Sequence, residues 1–344
     1  MTKFLILRFS SIGDIVLTTP VIRCLKQQYP DAEVHYATKK SYQSLLENNP
    51  YIDKVFVLEK SLNDLISQLK SERYDYIIDL HNNLRTIILK VRLKSPLSIG
   101  EGLGVRLKSF KFDKLNFQKW ILVKFKKNIM PNVHIVDRYM KTVESLGVKN
   151  DNKGLDYFIP EQDEMPLDWL PENFRNGYAV YAIGGQHETK KLPLLKMIEL
   201  CKTIQLPLVL IGGKEDEDMV NKIVAATAPQ PPEGELKSNS KVPPLGAEGA
   251  ISLCGKCNLN QSASIIKNAS IVYTHDTGMM HVAAALKKKV ISIWGNTVPA
   301  FGMYPYQTDF EVIEHPDLHC RPCSKIGYEK CPLGHFKCMN ELKF

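Results

Sequence analysis

No apolar run in this chain approaches the ~20 residues that a membrane-spanning helix needs. At the amino end only Phe4-Leu5-Ile6-Leu7 precede Arg8, too short for the apolar centre of a signal peptide. The expectation is a cytoplasmic protein, and its eight cysteines are then thiols or metal ligands and not disulfides. No repeat of fixed period is visible. The three-glycine turn of a dinucleotide site, G-x-G-x-x-G, is missing from the first strand-to-helix turn. There "FSSIGDIVLTTPVIRCLK" (Phe9 to Lys26) carries Gly13 followed by Asp14. An acid repels a pyrophosphate, so this turn is no phosphate cradle.

The 344 residues suggest two domains of ordinary size, and a hydrophobic content of 44% fills two cores. The net charge of +8 is concentrated: Arg85 to Lys127 holds twelve Lys or Arg against Glu101 and Asp113, or +10, leaving about −2 elsewhere. Within it, "KWILVKFKKN" (Lys119 to Asn128) mixes bulky apolar and cationic residues. Such a segment suits phosphates or an anionic membrane leaflet, or else is a solvated basic face. A basic, zinc-bearing nucleic-acid binder would need base-stacking aromatics there. The aromatics are mostly interleaved with aliphatics, which fits lipid contact as well, so this reading stays open on the segment alone. It is the motifs below that leave no nucleic-acid partner expected.

Strand and helix signals alternate. Strands are predicted at Phe4–Phe9, Glu33–Ala37, Lys54–Leu58 and Tyr74–Leu80, with a helix at Leu62–Lys70; the pattern blurs after Leu93 and resumes as a helix at Ile135–Leu146. A linker rich in Pro, Gly, Asn and acids runs from Gly147 to Gly177. A second series follows, with strands at Tyr178–Ile183, Leu208–Ile211, Ile271–Thr274 and Val290–Trp294 and helices at Leu194–Thr203, Ser262–Lys267 and Met279–Leu286. The proline-rich stretch Ala228–Ala250 reads as a surface insertion. Two successive α/β units imply two parallel sheets with ligands beyond the carboxyl ends of the strands.

Several turns carry candidate chemistry. Asp14 follows the first strand and could act as a general base on a hydroxyl, or serve as a first-turn helix acid. In "THDTGMMHVAAAL" (Thr274 to Leu286), Asp276-Thr277-Gly278 ends a strand and opens a helix, whose unpaired first amides suit a phosphate. In "AIGGQHETKKLPLLKM", Lys190 or Lys191 could neutralise a pyrophosphate leaving group. "LIGGKEDED" offers an acid for ribose hydroxyls; its Asp216-x-Asp218 resembles a metal motif, but acids in a helix's first turn need no metal. The cysteines Cys320-x2-Cys323-x7-Cys331-x6-Cys338 suggest a structural zinc site, with buried thiols or disulfides as alternatives.

Together, "RFSSIGDIVLTTPVIRCLK", "DLHNNLRT", "HIVDRYMKTVESLG", "KKLP" and "THDTGMMHVAAAL" resemble glycosyltransferase family 9, the ADP-heptose:lipopolysaccharide heptosyltransferases, over nearly the whole chain. The resemblance implies the GT-B architecture of two Rossmann-like α/β domains facing a cleft: an acceptor-binding domain at 1–160 and a nucleotide-sugar-binding domain at 175–315, followed by a Cys-rich tail at 316–344. It implies an inverting, metal-independent transfer of heptose from an ADP-sugar to an anionic glycolipid, with no catalytic cofactor, at the inner face of the cytoplasmic membrane; the alternative is the same fold and mechanism with a different nucleotide-sugar donor. Asp14 becomes the general base, which explains the acid in the first turn. Lys190, Glu215, Cys257, Asp276, Thr277, Gly278 and Met279 fall to the donor. Gly13, Arg85 and Arg138 fall to the acceptor, and Lys119, Lys124, Lys126 and Lys127 to the lipid surface. Neither the insertion nor the cysteine tail is part of the resemblance.

Overall fold

The first strand, β1 (Lys3–Leu7, KFLIL), is buried along almost its whole length. A continuous apolar strand of this kind belongs in the middle of a parallel sheet covered on both faces. In the computed structural model, which describes residues 1–94, 107–227 and 249–344, β1 is central. It pairs in parallel with β2 (Glu33–Lys39) and β4 (Tyr76–Asp79); β3 (Lys54–Leu58) and β5 (Lys108–Lys111) form the edges, in the order β3-β2-β1-β4-β5. The helices around it are α1 (Ile12–Val16), α2 (Thr19–Gln28), α3 (Leu62–Ser71), α4 (Leu84–Lys94) and α6 (Ile135–Glu144); α5 (Asn116–Phe125) lies between α4 and α6 in sequence. Most of the predicted insertion at 228–250 lies outside the described residues.

A second parallel sheet has the order β11-β10-β9-β6-β7-β8, from β6 (Ala179–Ala182), β7 (Leu208–Ile211), β8 (Ala250–Ser252), β9 (Ile271–His275), β10 (Lys289–Trp294) and β11 (Phe310–Glu314). Its helices are α7 (Leu194–Thr203), α8 (Glu217–Thr227), α9 (Leu259–Asn268), α10 (Gly278–Ala285) and the short α11 (Lys337–Asn340). The chain divides into two compact units, one of residues 1–116 and 131–158, the other of residues 117–130 and 159–344.

Two differences from the sequence reading follow. Residues 117–130, expected in the N-terminal domain, group with the second unit. The cysteine-bearing segment is no separate tail: Cys338, Met339 and Leu342 are buried in the core of the second unit with Tyr181, Leu192 and Ile293. Gly295 is required there, because a Cβ on it would stand 2.6 Å from Met339 Cε.

Both sheets reverse direction at one place. In the first, the chain runs from β1 outward through β2 and β3, then crosses to β4 on the other side; in the second it runs from β6 through β7 and β8, then crosses to β9. Crevices at the carboxyl ends of β1/β4 and β6/β9 are therefore the topological switch points, where open α/β sheets bind ligands.

Candidate active site

At the first switch point the chain leaves β1 and enters α1, whose third residue is Asp14. Its Oδ2 accepts hydrogen bonds from Ser11 N (3.2 Å) and Ser11 Oγ (3.0 Å) and is paired with Arg8 at 2.6 Å. The first-turn structural role weighed from sequence is thus real. It does not use up the carboxylate, whose side chain remains 20% exposed. Burial pushes the Asp14 carboxyl up, but the Arg8 charge and the Ser11 hydrogen bonds outweigh it and hold the group below its ordinary value of 3.8. Asp14 is therefore ionised at neutral pH.

Arg8 is fixed in turn. Its guanidinium donates to Ser10 O (2.7 Å), Leu80 O (2.6 Å) and Tyr139 Oη (3.2 Å), spanning the ends of β1 and β4 and reaching α6. His81, after β4, accepts the Phe9 N–H through Nδ1 at 3.1 Å. Burial and the nearby Arg8 charge lower it to about 4, so it stays neutral. Gly13 is buried within α1. Arg138 is buried on α6 and lines a cavity of about 290 Å³ with Lys111, Asp113, Lys141 and Thr142, three cations and one acid around one recess. Arg85 stands exposed on the first turn of α4.

At the second switch point Lys190, after β6, meets Asp276, after β9. Lys190 Nζ lies 2.6 Å from Asp276 Oδ2 and donates to Asp276 O at 3.0 Å. Thr297 Oγ1 donates to the same carboxylate at 2.7 Å. Of the two adjacent lysines, Lys191 pairs instead with Glu188 at 2.5 Å. Thr277 is the N-cap of α10, yet its side chain caps no amide and its Oγ1 is buried with no hydrogen-bond partner among the described residues. The helix N-terminus, opened by Gly278 and the half-buried Met279, thus keeps amides for an anion. Gly185 permits the β6 turn to approach: a Cβ there would meet Thr277 Cγ2 at 3.1 Å.

The remaining donor candidates lie along the neighbouring strands. Glu215 is exposed after β7, its carboxylate folded over Gly213. Asp216 is buried and accepts Gly213 N at 2.9 Å, and burial raises its carboxyl; it faces inward while Asp218 is exposed, so the D-x-D pair has no common metal geometry. Cys257 is half-buried in the turn after β8, and burial raises its thiol. That turn packs on the Glu215 segment, with Gly255 N donating to Gly212 O at 3.2 Å.

Sequence reasoning missed Arg8, His275, Asn296 and Thr297. Buried His275 accepts Leu192 N at 3.0 Å through Nε2, and burial lowers it to about 3, so a neutral imidazole locks "KKLP" against β9. Asn296, 2% exposed, has both side-chain polar atoms without partners among the described residues. The signal was the polar turn Gly295-Asn296-Thr297 directly after the apolar β10. The cysteines influence one another: burial raises the Cys323 thiol to about 11, with Cys320 and Cys331 adding to it, and burial raises Cys338 to about 12. Their sulfurs do not converge into a ligand set. Among the described residues the one metal-type group is Glu33, His35 and Glu72, which already surrounds the Lys3 ammonium, 2.8 Å from Glu33 and 3.1 Å from Glu72.

The family model for glycosyltransferase family 9 (heptosyltransferase) matches residues 62–332, most of the chain. The chain belongs to that family. Lipooligosaccharide heptosyltransferase 2 of Campylobacter jejuni subsp. jejuni serotype O:2 is 24% identical over 339 residues, 96% of this chain and 92% of its own. Among solved structures, a glycosyl transferase family 9 protein from Veillonella parvula DSM 2008 superposes with a TM-score of 0.68 at 22% identity, covering 91% of this chain and 85% of that one. The E. coli heptosyltransferase WaaC with ADP-2-deoxy-2-fluoro heptose gives 0.63 at 21%, covering 92% and 94%. The protein is a family 9 glycosyltransferase of GT-B fold. The family match begins after Asp14.

Proposed function

We propose that this family 9 glycosyltransferase moves a heptose from ADP-heptose to a lipopolysaccharide inner-core acceptor, with inversion and with Asp14 as general base. The observation that carries the reading is the ionised, Arg8-held carboxylate of Asp14 at the switch point of the first sheet. The donor class follows from the heptosyltransferase relative and from the ADP-sugar in the WaaC structure.

In the reaction the acceptor O–H proton passes to Asp14 as the oxygen attacks the anomeric carbon. The bond from that carbon to the β-phosphate oxygen breaks on the opposite side, and its electron pair leaves with ADP. Lys190 and the open amides of α10 meet the charge that grows on the pyrophosphate, so no step calls for a metal. Asp276, freed from part of its ion pair, and Thr277 then face the sugar. Glu215 accepts from ribose hydroxyls, and Cys257 lines the base. A structural zinc on Cys320, Cys323, Cys331 and Cys338 would require the four sulfurs to draw together, and it enters no step of the transfer.

On the acceptor side, Arg138 with Lys111 and Lys141 forms a cationic recess suited to a phosphate or carboxylate, and Arg85 adds an exposed cation. The glycolipid acceptor places the enzyme on the inner leaflet. No helix among the described residues is long and apolar enough to cross a membrane, which is compatible with peripheral attachment. Lys124 and Lys127 are exposed and available to lipid. Lys126 is not, contrary to the expectation from sequence: its ammonium donates to the carbonyls of Val123, Cys320 and Pro322.

The test is Asp14→Asn. Transfer is expected to fall ~10²–10⁴-fold, with ADP affinity by calorimetry nearly unchanged. Activity within a few-fold of the unaltered enzyme would remove Asp14 from the chemistry.

A further inference from the structure

Helix α4 is apolar on two opposite faces. Thr86 and Leu89 are buried, with Leu89 in the core cluster formed with Leu65 and Leu69 of α3, and Leu93 packs beside them. Lys90 turns inward as well and pairs with buried Asp79 at 2.5 Å. The opposite face carries Leu84, Ile87, Ile88 and Val91 at the i, i+3, i+4, i+7 spacing of a single stripe, and these are 74%, 47%, 37% and 64% exposed. On a helical wheel Arg85 and Arg92 border one edge of this stripe and Lys94 the other, and "LRTIILKVRLK" contains no acid. Surface helices that serve only their own core present polar residues outward; four consecutive outward positions of a stripe filled by Leu, Ile and Val call for a partner.

We propose that α4 lies in the surface of an anionic lipid bilayer, with Leu84, Ile87, Ile88 and Val91 at the acyl boundary and Arg85, Arg92 and Lys94 among the headgroup phosphates. The charge decides the occupant: a stripe bordered only by cations complements phosphate headgroups, whereas a second copy would set the same cations against each other. The cations that border the stripe add electrostatic attraction that salt screens. The α4 stripe adds apolar burial that salt does not remove. The proposal rests on the membrane-glycolipid reading of the acceptor, and it supplies that reading with an insertion element.

The experiment is flotation of the full chain, without donor or acceptor, on vesicles of phosphatidylglycerol and phosphatidylethanolamine and on vesicles of phosphatidylcholine. The combined variant Leu84→Gln, Ile87→Gln, Ile88→Gln and Val91→Gln is expected to partition at least tenfold less onto the anionic vesicles, with an unchanged thermal midpoint and unchanged transfer to a soluble, delipidated acceptor. The single variant Val91→Trp, which keeps the stripe apolar, is expected to gain a fluorescence signal quenched by brominated phosphatidylglycerol. An unchanged partition, equal binding to both vesicle types, or an unquenched Trp would each overturn the proposal, as would a stripe-dependent dimer by sedimentation with vesicle binding intact. If transfer to the soluble acceptor fails in the unaltered enzyme, the function proposed above fails, whatever the vesicles show.

Discussion

Lys190 is held by a carboxylate and a carbonyl of the same residue, and so is aimed before any ligand arrives. A pre-positioned cation loses little freedom on meeting a pyrophosphate, and its attraction grows as the leaving group gains charge. Lys190→Ala is therefore expected to weaken ADP binding and to lower kcat/KM at least tenfold, most of it in kcat; calorimetry and initial rates measure the two. An effect on KM alone would mean that Lys190 binds donor without assisting departure. At this scale the sequence was informative wherever chemistry is local. Asp14, Lys190 and Asp276 each follow an apolar strand by a few residues and could be picked out. Their fixing partners could not: Arg8 reaches Tyr139 across 131 residues, and Lys126 reaches Pro322 across 196. Only the fold brings such pairs together, so Lys126 was misread as a free surface cation.

The central strands were legible, and so was one edge strand, the apolar β3 (KVFVL). Lys54–Leu58, Leu208–Ile211 and Leu194–Thr203 have the predicted bounds. The three strands that went unread, β5, β8 and β11, are all sheet edges. An edge strand is covered less, so it carries fewer apolar residues, as "KSFK" shows, and its period-2 signal fades. Helix α4, which ends where the pattern blurs, is not among the predicted helices for the opposite reason, since apolar residues on both faces erase the amphipathic pattern. One element is secured by charge. Arg23 of α2, buried, pairs with Asp151 at 2.8 Å and with Asp156, fastening the segment after α6. The Arg23 hydrogen bond holds the Asp151 carboxyl down at about 2, against an ordinary 3.8. A depressed carboxyl stabilises the fold above its unfolded pKa and loses that contribution as pH falls through the folded one. Asp151 thus contributes about 2 kcal/mol at neutral pH, lost between roughly pH 4 and pH 2. Asp151→Asn is expected to lower stability by about that amount at pH 7 and to flatten the acid limb; urea unfolding at pH 7 and pH 3 tests both.

Across the whole molecule, the residues proposed for catalysis divide between two units with separate cores. If the units melt separately, ADP will raise one calorimetric transition only. Met339 is fully buried in the second unit, far in sequence from any donor residue. Met339→Ala is expected to cost ~2–5 kcal/mol and to lower the same transition that ADP raises. Lowering of the other transition would contradict this division. The terminal segment also reaches the donor turn, because Tyr328 N donates to Thr189 Oγ1 at 2.8 Å and Thr189 N to Tyr328 O at 3.1 Å, beside Lys190. This closure has a consequence for biosynthesis. The first unit has all its residues once position 158 has been made, but the second waits for Leu342. At ~5–20 residues per second, a ribosome leaves roughly 10–40 s in which the unit bearing Asp14 can fold while the crevice proposed for the donor does not yet exist. Helix α5, translated early, must wait through that interval for its partners, with Leu122, buried in the finished fold, as the apolar side chain left uncovered meanwhile.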